Sequence, residues 1–158
     1  MSIRKIITIG APILRQKTKN IDPQELRAAD FIILVNDMID TMRAQKGVGL
    51  AAPQIGVDKR LFVAETDSGP IALVNAQITR HSKKLVKFEE GCLSIPEKFE
   101  VVQRNHEVGV EALTIEGELI KFTAVGFFAR VMQHEIDHLD GILFVDRLAE
   151  QKTTNESE

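Results

Sequence analysis

Tryptophan and tyrosine are absent from this chain, and cysteine occurs once, at Cys92. A lone cysteine cannot close an internal disulfide, so Cys92 is left three roles: apolar core filler, nucleophile or metal ligand. Long apolar runs are also missing. The longest unbroken aliphatic or aromatic stretch, Phe31 to Val35, is five residues, whereas a bilayer span takes about 20. The opening Met1-Ser2-Ile3-Arg4-Lys5 reaches Gly10-Ala11-Pro12 with no signal-type apolar core or cleavage site. These absences lead us to expect a cytoplasmic protein with no membrane role. Nor does one sign of charge dominate, since 20 Lys and Arg stand against 23 Asp and Glu, a formal net charge of −3. Without a basic block, direct binding to nucleic acid is not expected.

What is present suffices for one ordinary core, with 44% hydrophobic residues in 158. We expect a single domain over residues 1–150, a polar, frayed tail over 151–158, and a monomer. Asp22-Pro23-Gln24-Glu25 reads as a helix start, with Asp22 as N-cap, Pro23 at N1 and Glu25 closing a capping box. The apolar stripe Phe31, Val35, Met38 and Met42 continues it, and Gly47 caps its end, predicting a long N-terminal helix from Pro23 to about Gln45. From Arg60 to Lys121 the texture changes to short apolar runs between turn residues, the pattern of strands. Leu61–Ala64 and Ile71–Val74 flank the turn Asp67-Ser68-Gly69-Pro70, and Val108, Val110 and Ala112 alternate with polar neighbours. Thr123 is the expected N-cap of a second helix running to about Leu139, with Gly141 behind it. Its apolar arc is wide enough for a central, buried helix. The predicted fold is α+β: mixed, mostly antiparallel sheets around that helix, with the long helix N-terminal to them.

The buried helix carries His134-Glu135-Ile136-Asp137-His138, an H-E-x-x-H run. Residues four apart share a helix face, so both imidazoles reach one metal ion while the intervening carboxylate stands beside it as a proton acceptor. Such an ion lowers the pKa of water toward neutrality, and a non-ligand carboxylate then takes the proton. A catalytic site of this kind needs a third protein ligand. The extended pattern that ends in a third histidine fails here, because Phe144 stands at that position. The downstream acids Glu150, Glu156 and Glu158 fall in a short polar stretch, which leaves His81, His106 and Cys92 upstream. Of these three, a thiolate binds Fe(II) or Zn(II) most strongly.

Cys92 lies in Glu90-Gly91-Cys92-Leu93-Ser94, and a third motif reads Gly47-Val48-Gly49-Leu50-Ala51-Ala52-Pro53-Gln54. Together with H-E-I-D-H, these segments resemble the peptide deformylases, in the order and spacing of that family, over about Ile13 to Arg147. The resemblance implies a metal-dependent hydrolase that removes the formyl group from the N-terminal formylmethionine of nascent polypeptides. It implies Cys92, His134 and His138 as ligands of one divalent metal, natively Fe(2+), with Zn(2+), Ni(2+) or Co(2+) able to occupy the site. Glu135 is then the general acid and base, and the Gln54 amide and the Leu93 backbone N–H face the developing oxyanion. Val48, Gly49 and Gly91 form the edge on which the peptide lies, and Val48, Phe88, Phe127 and Val131 line the methionine pocket beside His134. This sequence departs from many relatives in carrying Phe127 and Phe128 in place of leucine, and Ala76 in place of proline. The basic C-terminal helix with which longer members dock on the ribosome is not expected, so any ribosome proximity is transient. Two alternatives stay open at this point: an H-E-x-x-H zinc endopeptidase, and a catalytically weak homologue that binds nascent chains.

Overall fold

The structure, a computed structural model, describes residues 2–156. Its elements follow the chain as α1 (Ala29–Ala44), β1 (Gly49–Ala51), β2 (Leu61–Thr66), β3 (Gly69–His81), β4 (Leu85–Cys92), β5 (Ile95–Asn105), β6 (Glu107–Leu113), β7 (Leu119–Val125), α2 (Phe127–Leu139) and α3 (Phe144–Glu156). Five strands form one sheet in the order β1-β2-β3-β6-β7, and β4 with β5 forms a separate two-stranded sheet. Every pairing among the described strands is antiparallel, so the fold is α+β with no parallel component. No described helix is long and apolar enough to cross a membrane.

The two-residue period of β2 organises the core. Phe62 and Ala64 turn to one face of the large sheet and join Val131, Met132, Ile136 and Leu139 of α2, whereas Leu61 and Val63 turn to the other and join Phe31, Val35, Met38 and Met42 of α1. Each large apolar side chain buried in this way stabilises by about 1.5–3 kcal/mol. A third cluster, Leu14, Ile95, Val102, Leu143 and Phe144, fastens the small sheet and α3 to the rest. The N-terminal segment ties two loops together, as Ile7 N–H donates to Gln54 O at 2.7 Å and Ile9 N–H to Ser94 O at 2.8 Å.

Several elements differ from the sequence expectations. The capping box at Asp22 forms, but it opens a five-residue 3-10 turn, Pro23–Arg27, and Ala28 is extended before α1 begins. Leu26 and Phe31 both belong to the α1 core, yet five positions on a continuous helix would point them about 140° apart, so the chain breaks between them. At the other end the left-handed residue is Lys46, φ 57°, one place before Gly47. Thr123 is not a cap but pairs with Gly109 inside β7, and α2 starts four residues later, after Gly126. The ladder to β6 satisfies this backbone up to Val125, so no helix can start before it. A helix also runs through most of the last described stretch: α3 continues through residues 151–156 of the segment expected to fray, and Gln151 Oε1 accepts the Gln103 N–H at 2.6 Å. Its last turn carries no basic residue. Residues 157 and 158 of the expected tail lie outside the described residues.

The C-terminal end of α2 is fixed more firmly than most. Leu139 O accepts from Thr18 N–H at 2.8 Å, Thr18 Oγ1 at 2.9 Å and the buried Arg60 Nη1 at 3.3 Å, answering a carbonyl that the helix itself leaves without a partner. Gly141 then reverses the chain at φ 75°, where a Cβ would lie 2.7 Å from the backbone carbon and oxygen of Arg15. Gly141→Ala therefore meets both left-handed strain and a backbone clash and is expected to cost at least about 2 kcal/mol. At about 2–4 °C per kcal/mol for a chain of this size, thermal unfolding reads this as a drop of several degrees.

Candidate metal centre and catalytic cleft

Three chain segments bring the motif residues together. Helix α2 presents His134 and His138 four residues apart, their rings 5.0 Å between centroids. The register of β4 against β5 shifts between Gly91 and Cys92, so that Cys92 pairs with Ile95 as its thiol reaches α2. The ligand-type atoms of Cys92, His134 and His138 all lie within 4.8 Å of one another, and Cys92 Sγ stands 3.3 Å from His138 Nε2. The 3-10 turn after β1 supplies Gln54, whose Oε1 accepts from Ala51 N–H at 2.9 Å while Nε2 donates to Ser94 Oγ at 3.1 Å and toward Cys92 Sγ at 3.5 Å.

A thiolate with two imidazoles is a donor set for a transition-metal dication, and the electrostatics agree with it. Burial, the leading cause, holds the pKa of His138 well below its ordinary value, so this imidazole is neutral and free to coordinate. Its Nδ1 is buried with no described partner. For His134, burial pulls downward, but the acceptors Cys92 and Glu90 outweigh it and push the pKa up to about 10.

The His134 ring is oriented from behind, with Nδ1 2.9 Å from Glu90 Oε1, so that Nδ1–H donates and Nε2 is left toward Cys92. Glu90 is itself buried. It receives Arg104 through Nε and Nη2, both at 2.9 Å, and Arg130 Nη1 at 2.5 Å. Burial alone would raise its pKa, but Arg104 and His134 hold it well below the carboxylate range. Arg104 Nη1 continues to Asp137 at 2.6 Å.

Glu135 faces the cleft directly beneath Gly49. A Cβ on Gly49 would fall 2.4 Å from Glu135 Oε1, so only glycine lets the strand pass this close. The carboxyl is buried, its Oε2 has no described partner, and burial, followed by the charge of Glu90, lifts its pKa to about 7 although His134 opposes. A group with that pKa exchanges a proton readily at neutral pH.

A cleft of about 550 Å³ opens over this centre. Of the residues expected there, Val48, Gly49, Gln54, Gly91, Cys92, Leu93, Phe127, Val131, His134 and Glu135 line it, and His138 lies just behind. Phe88 does not line it. Two places along β4 from Glu90, it lies beside the first turn of α2, where its ring packs edge-on against Phe127 at 6.3 Å, with the Arg130 guanidinium 5.8 Å from its centroid, and remains half exposed. Sequence reasoning missed Phe99, whose ring packs over Gly91, as well as Arg130 and the Glu90–Arg104–Asp137 cluster. Glu90 and Asp137 lie inside the E-G-C-L-S and H-E-I-D-H motifs, whereas Arg104 and Arg130 carry no local signal.

A family model for polypeptide deformylase matches residues 3–154 of this sequence. The chain belongs to the polypeptide deformylase family. It is 45% identical to peptide deformylase 1 of Clostridium acetobutylicum over 152 residues, which covers 96% of this chain and 99% of that protein. With the peptide deformylase of Pseudothermotoga lettingae it shares 44% over 144 residues, 91% and 82% of the two chains. Among solved structures, the peptide deformylase of Thermotoga maritima superposes with a TM-score of 0.89 at 37% identity, covering 93% of this chain and 98% of that one. A class I type b peptide deformylase of Acinetobacter baumannii, solved with Met-Ala-Ser bound, gives 0.88 at 34% identity over 92% and 98%.

The charge cluster behind this deformylase's cleft is open to a direct test. Arg104→Met leaves Glu90 and Asp137 each short of a buried cation, and breaking such a pairing costs roughly 3–5 kcal/mol. Urea unfolding of the metal-free proteins should show that loss as a lowered midpoint with an unchanged slope.

Proposed function

We propose that the cleft hydrolyses the N-formyl amide of formylmethionyl nascent peptides to formate and a free N-terminal methionine, with residues 1–150 as one catalytic domain. The observation that carries this reading is the convergence of Cys92, His134 and His138 within 4.8 Å, with the buried carboxyl of Glu135 next to them. These three side chains would hold the metal, Fe(2+) in the native enzyme, with Zn(2+), Ni(2+) or Co(2+) able to replace it. When bound, the metal supplies Lewis-acid activation of water at neutral pH.

The remaining steps belong to the protein. Glu135 accepts a proton from the attacking water and delivers it to the amine nitrogen as the C–N bond breaks, a role its pKa near 7 suits. Gln54 Nε2, already aimed past Cys92 Sγ, and the Leu93 backbone N–H donate to the formyl oxygen as it gains charge. The backbone of Gly49 and Gly91 lets the peptide lie alongside as an extended strand. Val48, Phe127 and Val131 receive the methionine side chain, with the Phe88 ring supporting Phe127 from outside. The reading places the enzyme as a cytoplasmic monomer that meets nascent chains near the ribosome without binding nucleic acid directly.

Release of formate from formyl-Met-Ala-Ser by the metal-loaded protein tests the assignment, and a strong chelator should abolish it until metal is restored. Glu135→Gln is expected to keep one metal per chain while turnover falls at least about 100-fold, the span of a lost general base. An enzyme near full activity after that change would contradict the role. Cys92→Ser should lose metal instead, measured as metal content after dialysis.

A further inference from the structure

The charged groups behind the metal centre form one continuous line that reaches the surface. His134 Nδ1 meets Glu90 Oε1, Glu90 is gripped at both oxygens by Arg104, and Arg104 Nη1 donates to Asp137 Oδ2. Asp137 is in turn held by α3, since Arg147 places Nη2 2.7 Å from Oδ1 and Nε 3.1 Å from Oδ2. Cation and anion alternate along the line. The side chains of Arg104, Glu90 and Asp137 are 4%, 6% and 10% exposed, whereas that of Arg147 is 32% exposed. Arg147 is therefore the end that faces solvent.

We propose that Arg147 is a positioning residue for the metal centre, acting through Asp137, Arg104 and Glu90 to hold the His134 imidazole in its coordinating orientation. The proposal rests on Cys92, His134 and His138 being the metal ligands. Every nitrogen of Arg104 is already engaged, Nε and Nη2 on Glu90 and Nη1 on Asp137, so its position is a balance between two carboxylates. Without the Arg147 fork, Asp137 retains one guanidinium donor, and a buried carboxylate short of a cation draws the remaining one toward it. Arg104 then moves off Glu90, and Glu90 Oε1 loses its alignment with His134 Nδ1. A ligating histidine that loses this outer partner becomes free to rotate, and its other nitrogen becomes less basic. Lysine would not substitute fully, because only the planar fork of arginine reaches both oxygens of Asp137. A second charged anchor of α3, the exposed pair Arg15–Asp146 at 2.5 Å, takes no part in the line and serves as an internal control.

The test uses the full chain loaded with Co(II), whose thiolate charge-transfer absorption reports the bond to Cys92, and follows its decay under excess chelator. Arg147→Met is expected to release cobalt about 10-fold faster than the parent chain, at the lower end of what outer-partner substitutions do to metal affinity. Arg147→Lys should be intermediate, and Arg15→Met, which loosens α3 without touching the line, should match the parent. A parent chain that takes up no cobalt, or a Cys92→Ser variant that keeps the absorption, would overturn the ligand assignment itself. Release from Arg147→Met within about two-fold of the parent, or equally fast release from Arg15→Met, would overturn the positioning role while leaving that assignment intact. If Arg147→Met does not fold, Arg147→Lys against Arg15→Met decides by the same comparison.

Discussion

The carboxylate of Glu90 is the point at which the two sheets, helix α2 and the Cys92–His134–His138 cluster become one structure. It sits on the small sheet, yet its partners are Arg104 from the neighbouring strand and Arg130 and His134 from α2. A buried anion is tolerable only when several donors surround it, so the placement of Glu90 dictates where three other side chains must be. Arg130 shows how far the requirement extends, because its guanidinium also donates to Val102 O and Val86 O and so clamps the small sheet across α2. Cys92, two residues beyond Glu90, is carried to the histidines by that clamp.

The second constraint is space. Helix α2 is apolar toward the large sheet and polar toward the cleft, and the polar side is approached by backbone from two directions. Gly49 passes over Glu135 and Gly91 lies under the ring of Phe99, in both cases closer than a Cβ would allow. Glycine at these places exposes peptide groups along the cleft and leaves the carboxyl of Glu135 dry enough to hold a raised pKa. The Cys92–His134–His138 cluster, the buried carboxyl of Glu135 and the glycine-lined edge of the cleft are thus products of one packing arrangement.

Local signals in the chain were legible wherever a residue answers to its near neighbours. The H-E-x-x-H spacing placed two imidazoles on one side of a helix because helical geometry is periodic, and the alternation in β6 marked a strand for the same kind of reason. The reading failed where the deciding partner is distant in sequence. Ala28 breaks the N-terminal helix so that Leu26 and Phe31 can enter one core, and Thr123 remains in a strand because β6 pairs with it.

By itself, then, the sequence determined the chemistry that lives in short motifs: two histidines and an acid at helical spacing, a glycine beside the lone cysteine, and glycines ahead of Gln54. It also determined the family, through three motifs in order. Only the tertiary structure decided that Cys92 meets His134 and His138, that Glu90 sets the tautomer of His134, and that Arg104 and Arg147 stand behind them. The physical reason is that buried charges choose partners by distance in space, and Arg104 is 14 residues from Glu90 and 33 from Asp137 along the chain, separations over which no local periodicity carries information.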